Sequence, residues 1–358
     1  MLGVRYCVLF GWPLSLKLSR FRTHTFLMMK PQVAINGFGR IGRLSLRALL
    51  QRDQVEVVAI NDLADAATLA YLLKYDSNHG LFSGEVTHQG AHLMVAGKKI
   101  QVHTEPDPAQ LPWKALGITT VLEATGRFTD QEGASKHLTA GAQRVVISAP
   151  AQGRIPTVVL GVNEHILQGN EPIISNASCT TNCLAPMAKV LDEHFGIEQG
   201  YINTIHAYTT DQRLQDAPHK DLRRARAATK SIIPTSTGAA QAVGLVLPQL
   251  QGKLDGMATR VPVSNGSMTD FTVVLRQSPT KAAINQAMLA ASQGILRGIL
   301  AYTEDPIVSI DIVGNPHSCI FDAQLTAVQG NLVKVIGWYD NEGGYAHRIA
   351  ELIGQLSR

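Results

Sequence analysis

A cysteine set between a polar turn and an apolar helix is placed to act as a nucleophile. The segment Ser175-Asn176-Ala177-Ser178-Cys179-Thr180-Thr181-Asn182-Cys183 has this form, with an apolar periodic run over 184–195 behind it. The pattern predicts a helix that opens near Cys179. A helix N-terminus carries partial positive charge and unpaired N–H groups, which favour thiolate over thiol. A nearby histidine raises the thiolate fraction by taking the proton or by pairing as imidazolium. His206, in Asn203-Thr204-Ile205-His206-Ala207-Tyr208-Thr209, ends a strand-like run and is the candidate partner. Residue type alone would leave it a structural histidine. Cys183, one helical turn past Cys179, reads as a buried small side chain, with a resolving thiol as the alternative. Zinc would need more ligands than this spacing supplies.

A second group of residues suits a dinucleotide. Gly37-Phe38-Gly39-Arg40-Ile41-Gly42 matches G-x-G-x-x-G, follows an apolar strand signal at 33–35 and opens a helical pattern over 41–51. Asp62 closes the next apolar run at 55–60. That is the context of a Rossmann turn, in which glycines let the backbone approach a pyrophosphate and the acidic residue accepts from ribose hydroxyls. A carboxylate there repels a 2′-phosphate, so NAD is expected over NADP. For Asp62 the plainer role is a turn or cap.

A third group suits anions. His219-Lys220-Asp221-Leu222-Arg223-Arg224-Ala225-Arg226 precedes Pro234-Thr235-Ser236-Thr237-Gly238, and Arg260 stands in Thr259-Arg260-Val261-Pro262. Arginine forks match phosphate oxygens. Of this cluster Arg224 is read as functional, Arg223 and Arg226 as solvated or subunit-facing. No aromatic residues interleave it, so nucleic acid is a weak reading.

The elements that must hold these residues follow from periodicity. Strand, helix and strand within 33–60 form a βαβ unit, and runs at 120–123, 144–148 and 173–174 continue a parallel sheet. Beyond Cys179 the strand-like stretches are 201–207, 256–263, 269–276, 307–313, 321–328 and 332–339. A hairpin is expected at Gln329-Gly330-Asn331. Helices are expected at 180–195, 238–247, 280–300 and 345–356. The fold class is α/β followed by α+β: a Rossmann dinucleotide-binding domain, then a catalytic domain on a mixed or antiparallel sheet. The first domain is set at 30–178, completed by a C-terminal helix at 341–358, and the second at 179–340.

Bulk properties agree. The 358 residues suffice for two domains with a large core; 45% are hydrophobic and 17% charged. A net charge of +4 is too mild to imply nucleic acid. Four cysteines are too few for a disulfide framework in such a chain, so a reducing, cytoplasmic setting is expected. No apolar run reaches the length of a membrane span. Residues 1–29 are basic, lack acidic residues and are read as an extension ahead of a start near Met28 or Met29, with a transit peptide as the alternative.

From about residue 31 onward the chain resembles the phosphorylating glyceraldehyde-3-phosphate dehydrogenase family. The resemblance rests on 35–43, Tyr75-Asp76-Ser77-Asn78-His79-Gly80, the Cys179 and His206 segments, 224–238, Arg260 and Trp338-Tyr339-Asp340-Asn341-Glu342. It implies Cys179 as nucleophile and His206 as base. It implies Thr209 and Arg260 for the substrate's phosphate, and Ser178, Thr180, Arg224, Thr237 and Gly238 for inorganic phosphate. Arg40, Ile41 and Asp62 match cofactor contacts; Ser148 and Asn341 match residues near the nicotinamide. A homotetramer is implied, with the loop after Tyr208 (to about 232) reaching the neighbour's cofactor site. The implied reaction oxidises glyceraldehyde 3-phosphate with NAD and inorganic phosphate.

The chain departs from the family at Gly343, where tryptophan is usual, and this is expected to loosen the last helix. Pro106 stands where a basic residue near the adenine is common. Pro218 supports NAD over NADP. The alternatives are erythrose-4-phosphate dehydrogenase, an NADP-linked form, and a non-catalytic binding protein on the same fold.

Overall fold

The computed structural model describes Gly3 and residues 30–357; the expectation for residues 1–29 lies outside the described residues, apart from Gly3. The first half runs β1 (Gln32–Asn36), α1 (Arg40–Arg52), β2 (Glu56–Asn61), α2 (Ala66–Lys74), β3 (Val86–Gln89), β4 (His92–Val95), β5 (Lys98–His103), β6 (Ile118–Glu123), α3 (Gln131–Thr139), β7 (Arg144–Ile147) and β8 (Ile173–Ser175). These strands form one sheet in the order β3-β4-β5-β2-β1-β6-β7-β8. From β5 to β8 neighbouring strands are parallel, and β3, β4 and β5 add an antiparallel meander at the edge. Val33, Ala34, Ile35, Ala59, Ile60, Val121 and Leu122 are fully buried, as expected of central strands covered on both faces.

The second half runs α4 (Cys179–Phe195), β9 (Ile197–Ala207), β10 (Ile233–Ser236), α5 (Ala239–Val246), β11 (Leu254–Val261), β12 (Ser267–Leu275), α6 (Lys281–Gln293), β13 (Leu300–Thr303), β14 (Cys319–Asp322), β15 (Ala327–Gln329), β16 (Leu332–Tyr339) and α7 (Gly343–Leu356). The order is β10-β11-β9-β12-β16-β14-β13, with β15 paired to β16. It is a mixed sheet: β9 and β11 are parallel, while β12 is antiparallel to both β9 and β16. Helix α4 is buried from Thr180 to Ala188, so it serves as a core element rather than a surface helix. Helix α7 returns to the first sheet and packs on α1, and Arg144 Nη1 donates to the carbonyl of its Leu356 at 2.7 Å.

Three expected elements are corrected. Residues 307–313 are turns, not a strand: Ile310 is 72% exposed, and the Asp311 carboxylate accepts from Val308 N–H. Only Ile312 of that apolar stretch is well buried. The stretch 321–328 is split into β14 and β15, because the Asp322 carboxylate caps a turn by accepting from Gln324 and Leu325 N–H. The helix expected over 280–300 ends at Gln293, before Gly294, and Leu300 begins β13. The expected hairpin is present, with Gln329 opposite Leu332 and Gly330 at φ 63°.

Candidate active site

The two sheets bring Cys179 and His206 together from different directions. Beyond β8 the chain turns sharply. Ala177 sits at φ 55°, which for a residue with a side chain costs about 1–2 kcal/mol. Two hydrogen bonds hold it there: its N–H to Ser175 Oγ at 3.0 Å, and its carbonyl from Tyr345 O–H at 2.8 Å. Ser178 is the N-cap of α4 and accepts from Thr181 N–H at 3.1 Å. Cys179 is the first residue of that helix.

His206 comes from the end of β9, and its Nε2 is 3.5 Å from Cys179 Sγ. The Ala207 carbonyl is 2.7 Å from Nδ1. Arg260 Nη1 also approaches Nδ1, at 3.0 Å, so this nitrogen faces one acceptor and one donor; the shorter carbonyl contact favours the proton on Nδ1, with Nε2 facing the thiol as acceptor. Arg260 stands beside His206 in the β9–β11 register. Its Nη1 donates to the Ala207 carbonyl at 3.1 Å and to Thr209 Oγ1 at 3.2 Å.

Burial controls the resting charges of this pair. It pushes the Cys179 thiol up to about 11, against the opposing pull of Arg260 and the N–H and hydroxyl of Thr180. It pushes His206 down to about 3, assisted by the Arg260 charge. Burial thus opposes the charged form of both members, while Arg260 and Thr180 favour the thiolate of Cys179, which is only partly buried where it lines the cavity. The helix terminus acts on the thiol in the expected direction, and desolvation acts against it.

The pair opens onto a cavity of about 710 Å³, lined among others by Arg40, Ile41, Ser148, Ser178, Thr209 and Asn341. Asn341 accepts through Oδ1 from Ser267 Oγ at 2.7 Å and Gly266 N–H at 3.2 Å. Its amide N–H₂ is thereby oriented and free for the cavity. A second cleft, of about 260 Å³, is lined by Gly37, Gly39 and Asp62 together with Asn61, Pro106 and Thr125. Pro106 sits on a backbone fixed by Asn61, whose amide pairs with both Glu105 N–H and Glu105 C=O at 2.9 Å.

The glycine turn has the tight geometry that its sequence implies. Gly37 lies at φ 90°, and a Cβ there would fall 2.7 Å from the Ala124 carbonyl carbon. A Cβ at Gly42 would fall 2.1 Å from the Gly37 oxygen. Gly42 thus serves helix–strand packing and does not line either cleft. Gly39 caps α1 with no side-chain partner for the first helical N–H groups. Those groups are available to an anion.

Other assignments change. Arg40 does not offer a free guanidinium: it pairs with Asp76 at 2.6 Å and Glu342 at 2.5 Å. What it can give a phosphate is its main-chain N–H. Asp62 accepts from Phe38 N–H at 2.7 Å and Ala64 N–H at 3.0 Å. It therefore fills the cap role while still lining the cleft. The Thr180 hydroxyl is buried against Tyr339 O–H at 2.9 Å, behind the cavity rather than in it.

The anion group is partly assembled. Arg224 donates to Thr235 Oγ1 at 2.9 Å and pairs with Asp211, which also accepts from Thr209. Thr237 Oγ1 accepts from Ala239 N–H at 3.3 Å, and Gly238 caps α5. Arg224, Thr237, Gly238 and Arg260 are not among the residues that line the cavity at Cys179. Sequence reasoning missed Asp211, Tyr339, Tyr345 and Glu342. Asp211 carried a signal, since it lies two residues past Thr209 in the same loop. At Gly343, where tryptophan is usual in the family, the N–H donates to Asp340 Oδ1 at 2.8 Å, and a Cβ would lie 2.9 Å from Asp340 Oδ2 and 3.1 Å from His79 Cε1. His79 and Asp340 fill the place.

No helix among the described residues is long and apolar enough to cross a membrane. The glyceraldehyde 3-phosphate dehydrogenase NAD binding domain matches residues 31–131, and the C-terminal domain of the same enzyme matches 178–341. The glyceraldehyde-3-phosphate dehydrogenase of Streptomyces coelicolor is 57% identical over 328 residues, covering 90% of this chain and 98% of that protein. That of Geobacillus stearothermophilus is 55% identical over 331 residues, covering 92% and 99%. With its cysteine turn, histidine strand and cofactor turn in matching order, the chain belongs to the glyceraldehyde-3-phosphate dehydrogenase family, as a glycolytic oxidoreductase that carries the family's NAD-binding domain.

Proposed function

We propose that the chain converts glyceraldehyde 3-phosphate to 1,3-bisphosphoglycerate through a thioester on Cys179, with NAD and inorganic phosphate. The observation that carries the residue roles is the 3.5 Å approach of Cys179 Sγ to His206 Nε2 at a cavity that Arg40 and Ile41 of the glycine motif also line. The residues fit NAD: Gly37 and Gly42 leave no room for side chains, and the first N–H groups of α1 are uncapped. In this reading Gly37, Gly39, Arg40, Ile41 and Gly42 hold the pyrophosphate through main-chain groups and packing. Asp62 takes the adenosine ribose, and Ser148 and Asn341 the nicotinamide side.

Cys179 Sγ attacks the aldehyde carbon while its proton passes by way of His206 to the aldehyde oxygen, giving a thiohemiacetal. His206 Nε2 then takes the hydroxyl proton as hydride departs from that carbon, leaving a thioester and an imidazolium. NAD, when bound, supplies the hydride acceptor. The Ala207 carbonyl holds Nδ1–H throughout, and the main-chain N–H of Cys179 is placed to steady the oxyanion. Phosphate attacks the thioester carbonyl, the C–S bond breaks, and His206 returns its proton to the sulfur.

Thr209 and Arg260 are assigned to the substrate's phosphate. Ser178, Thr180, Arg224, Thr237 and Gly238 are assigned to inorganic phosphate, Thr180 through its main chain. Substrate phosphate near Arg260 also offsets the charge that depresses His206, so binding raises the basicity of the base. The chain boundaries proposed are 30–178 with 341–358 for the cofactor domain and 179–340 for the catalytic domain.

A homotetramer is part of this reading. Leu214, Leu222 and Ile232 are 70%, 82% and 70% exposed along the loop after Tyr208, an apolar surface suited to a second copy. A cytoplasmic setting is also proposed: Cys179 must remain a thiol, and Cys183 and Cys319 are buried as free thiols.

The test is reduced-nicotinamide formation from glyceraldehyde 3-phosphate, with NAD or NADP, with and without inorganic phosphate. Phosphate-dependent turnover with NAD is expected. Phosphate-independent turnover, or faster turnover of erythrose 4-phosphate, would sink the acyl-phosphate step. Cys179→Ser should bind NAD normally and lose nearly all turnover.

A further inference from the structure

Beneath the second cleft runs a buried polar chain that the proposed chemistry leaves unused. Glu123 ends β6 and is 1% exposed; His137 lies on α3 and is fully buried. His137 Nε2 is 3.0 Å from Glu123 Oε2. On the ring's other side, Trp113 Nε1 is 3.0 Å from His137 Nδ1. An indole N–H can only donate. Nδ1 must therefore accept, and the ring proton sits on Nε2, directed at the carboxylate. Trp113 thus selects the tautomer in which His137 Nε2 donates to Glu123.

The carboxylate is saturated with donors. Oε1 accepts from both the N–H and the hydroxyl of Thr125, and Oε2 also accepts from Asn36 Nδ2 at 2.5 Å. Asn36 Oδ1 accepts in turn from Asn61 Nδ2 at 2.7 Å. Asn36, Asn61 and Glu123 are the last residues of β1, β2 and β6, and they are register partners across three adjacent strands. The residues that follow closely, Gly37, Asp62 and Thr125, line the cleft.

We propose that Glu123 and His137 form a positioning unit for the cofactor, fixing the spacing of three strand ends whose next residues receive the adenosine half of NAD. This rests on the reading of the second cleft as the adenosine compartment. Neither residue lines the cleft; they act through Thr125 and Asn36. A saturated network of this kind admits one arrangement, because losing any donor leaves a buried carboxylate oxygen unpaired.

The test compares wild type, His137→Leu and His137→Gln in the intact enzyme. ADP-ribose is the probe, measured as a competitive inhibitor against NAD, beside the KM values for NAD and glyceraldehyde 3-phosphate and the kcat. His137→Leu should raise the ADP-ribose inhibition constant and the NAD KM by about tenfold, the effect of one lost buried hydrogen bond. The kcat at saturating NAD and the KM for glyceraldehyde 3-phosphate should hold within about twofold. His137→Gln can accept from the indole and donate to the carboxylate, and should restore most of the affinity. Where His137→Leu does not fold, Glu123→Gln replaces one acceptor with a donor and should give the same selective loss. An unchanged ADP-ribose constant in a folded variant overturns the positioning role, as does equal damage to the kinetics of both substrates. Failure of wild type to bind ADP-ribose competitively with NAD would instead overturn the adenosine reading, and the inference with it.

Discussion

Tyr345 on α7 donates its hydroxyl hydrogen to the carbonyl of Ala177, 168 residues earlier in the chain, at 2.8 Å. The C-terminal helix thereby holds the strained turn that aims Cys179 at the cavity. Tyr345→Phe keeps the ring and removes only this bond. Stability should fall by about 1 kcal/mol, the net value of one hydrogen bond. Turnover should fall by more than that loss of stability implies, about tenfold, because a small misplacement of a reacting atom is costly. The NAD KM should barely move. Steady-state kinetics and thermal unfolding on the same preparation check this; kcat at the wild-type value would show that the turn holds its shape alone.

A second tie crosses the same interface. Arg40 at the start of α1 pairs with Asp76 and with Glu342 just ahead of α7. Hydrogen bonds and charge from Arg40 hold both carboxyls down at about 2, despite burial that acts the other way. Each folded-state value is below the unfolded one, so the unfolded chain binds more protons in the window between. The stability they contribute is present above about pH 4.5 and is lost as pH falls toward 2. Glu342→Gln should cost about 2 kcal/mol at pH 7, between the values for exposed and buried pairs. It should also flatten the acid limb of stability against pH. A variant that loses stability equally at pH 7 and pH 3 would show that Glu342 acts by packing and not by charge.

Arg260 supplies positive charge to both members of the catalytic pair. Its removal should push Cys179 higher still and let His206 rise from about 3, since Arg260 is a cause of both shifts in those directions. Alkylation of Cys179 by iodoacetamide at pH 8 should slow by about tenfold in Arg260→Leu, one unit of pKa being a factor of ten in thiolate. The glyceraldehyde 3-phosphate KM should rise as well. Unchanged alkylation with a raised KM would confine Arg260 to phosphate binding.

The parts of this molecule legible in the sequence are those set by local rules. Gly37 and Gly42 are required by contacts that admit no Cβ, and Cys179 opens its helix because Ser178 is a good cap. The mixed sheet was readable from its alternating strands. The errors fell where a side chain redirects the backbone, as Asp322 does between β14 and β15. Apolar content alone did not reveal that Val308 and Ile310 face outward. Charge was harder still. The spacing of Arg40 in the glycine turn gives no sign that Asp76 and Glu342 consume its guanidinium, because those partners are distant in sequence. The desolvation that opposes the helix terminus at Cys179 comes from the surrounding fold, which a helix-terminus argument does not contain.

The buried state of His206 yields a final prediction. Burial, and after it the Arg260 charge, lower its folded value to about 3, against about 6.5 for an ordinary histidine. The unfolded chain therefore binds an extra proton between those values. The associated stability is complete above about pH 6.5 and declines as pH falls toward 3, at up to about 1.4 kcal/mol per pH unit. His206→Asn has no such proton to bind, so its stability between pH 6.5 and 4.5 should be flatter than that of wild type. Chemical denaturation across that range measures the difference directly. The same variant should lose turnover by about a thousandfold, the scale of a general base. It should also keep its ADP-ribose affinity, since His206 lies in the first cavity and not in the second cleft. Parallel pH profiles for the two proteins would mean that folding does not lower the His206 value.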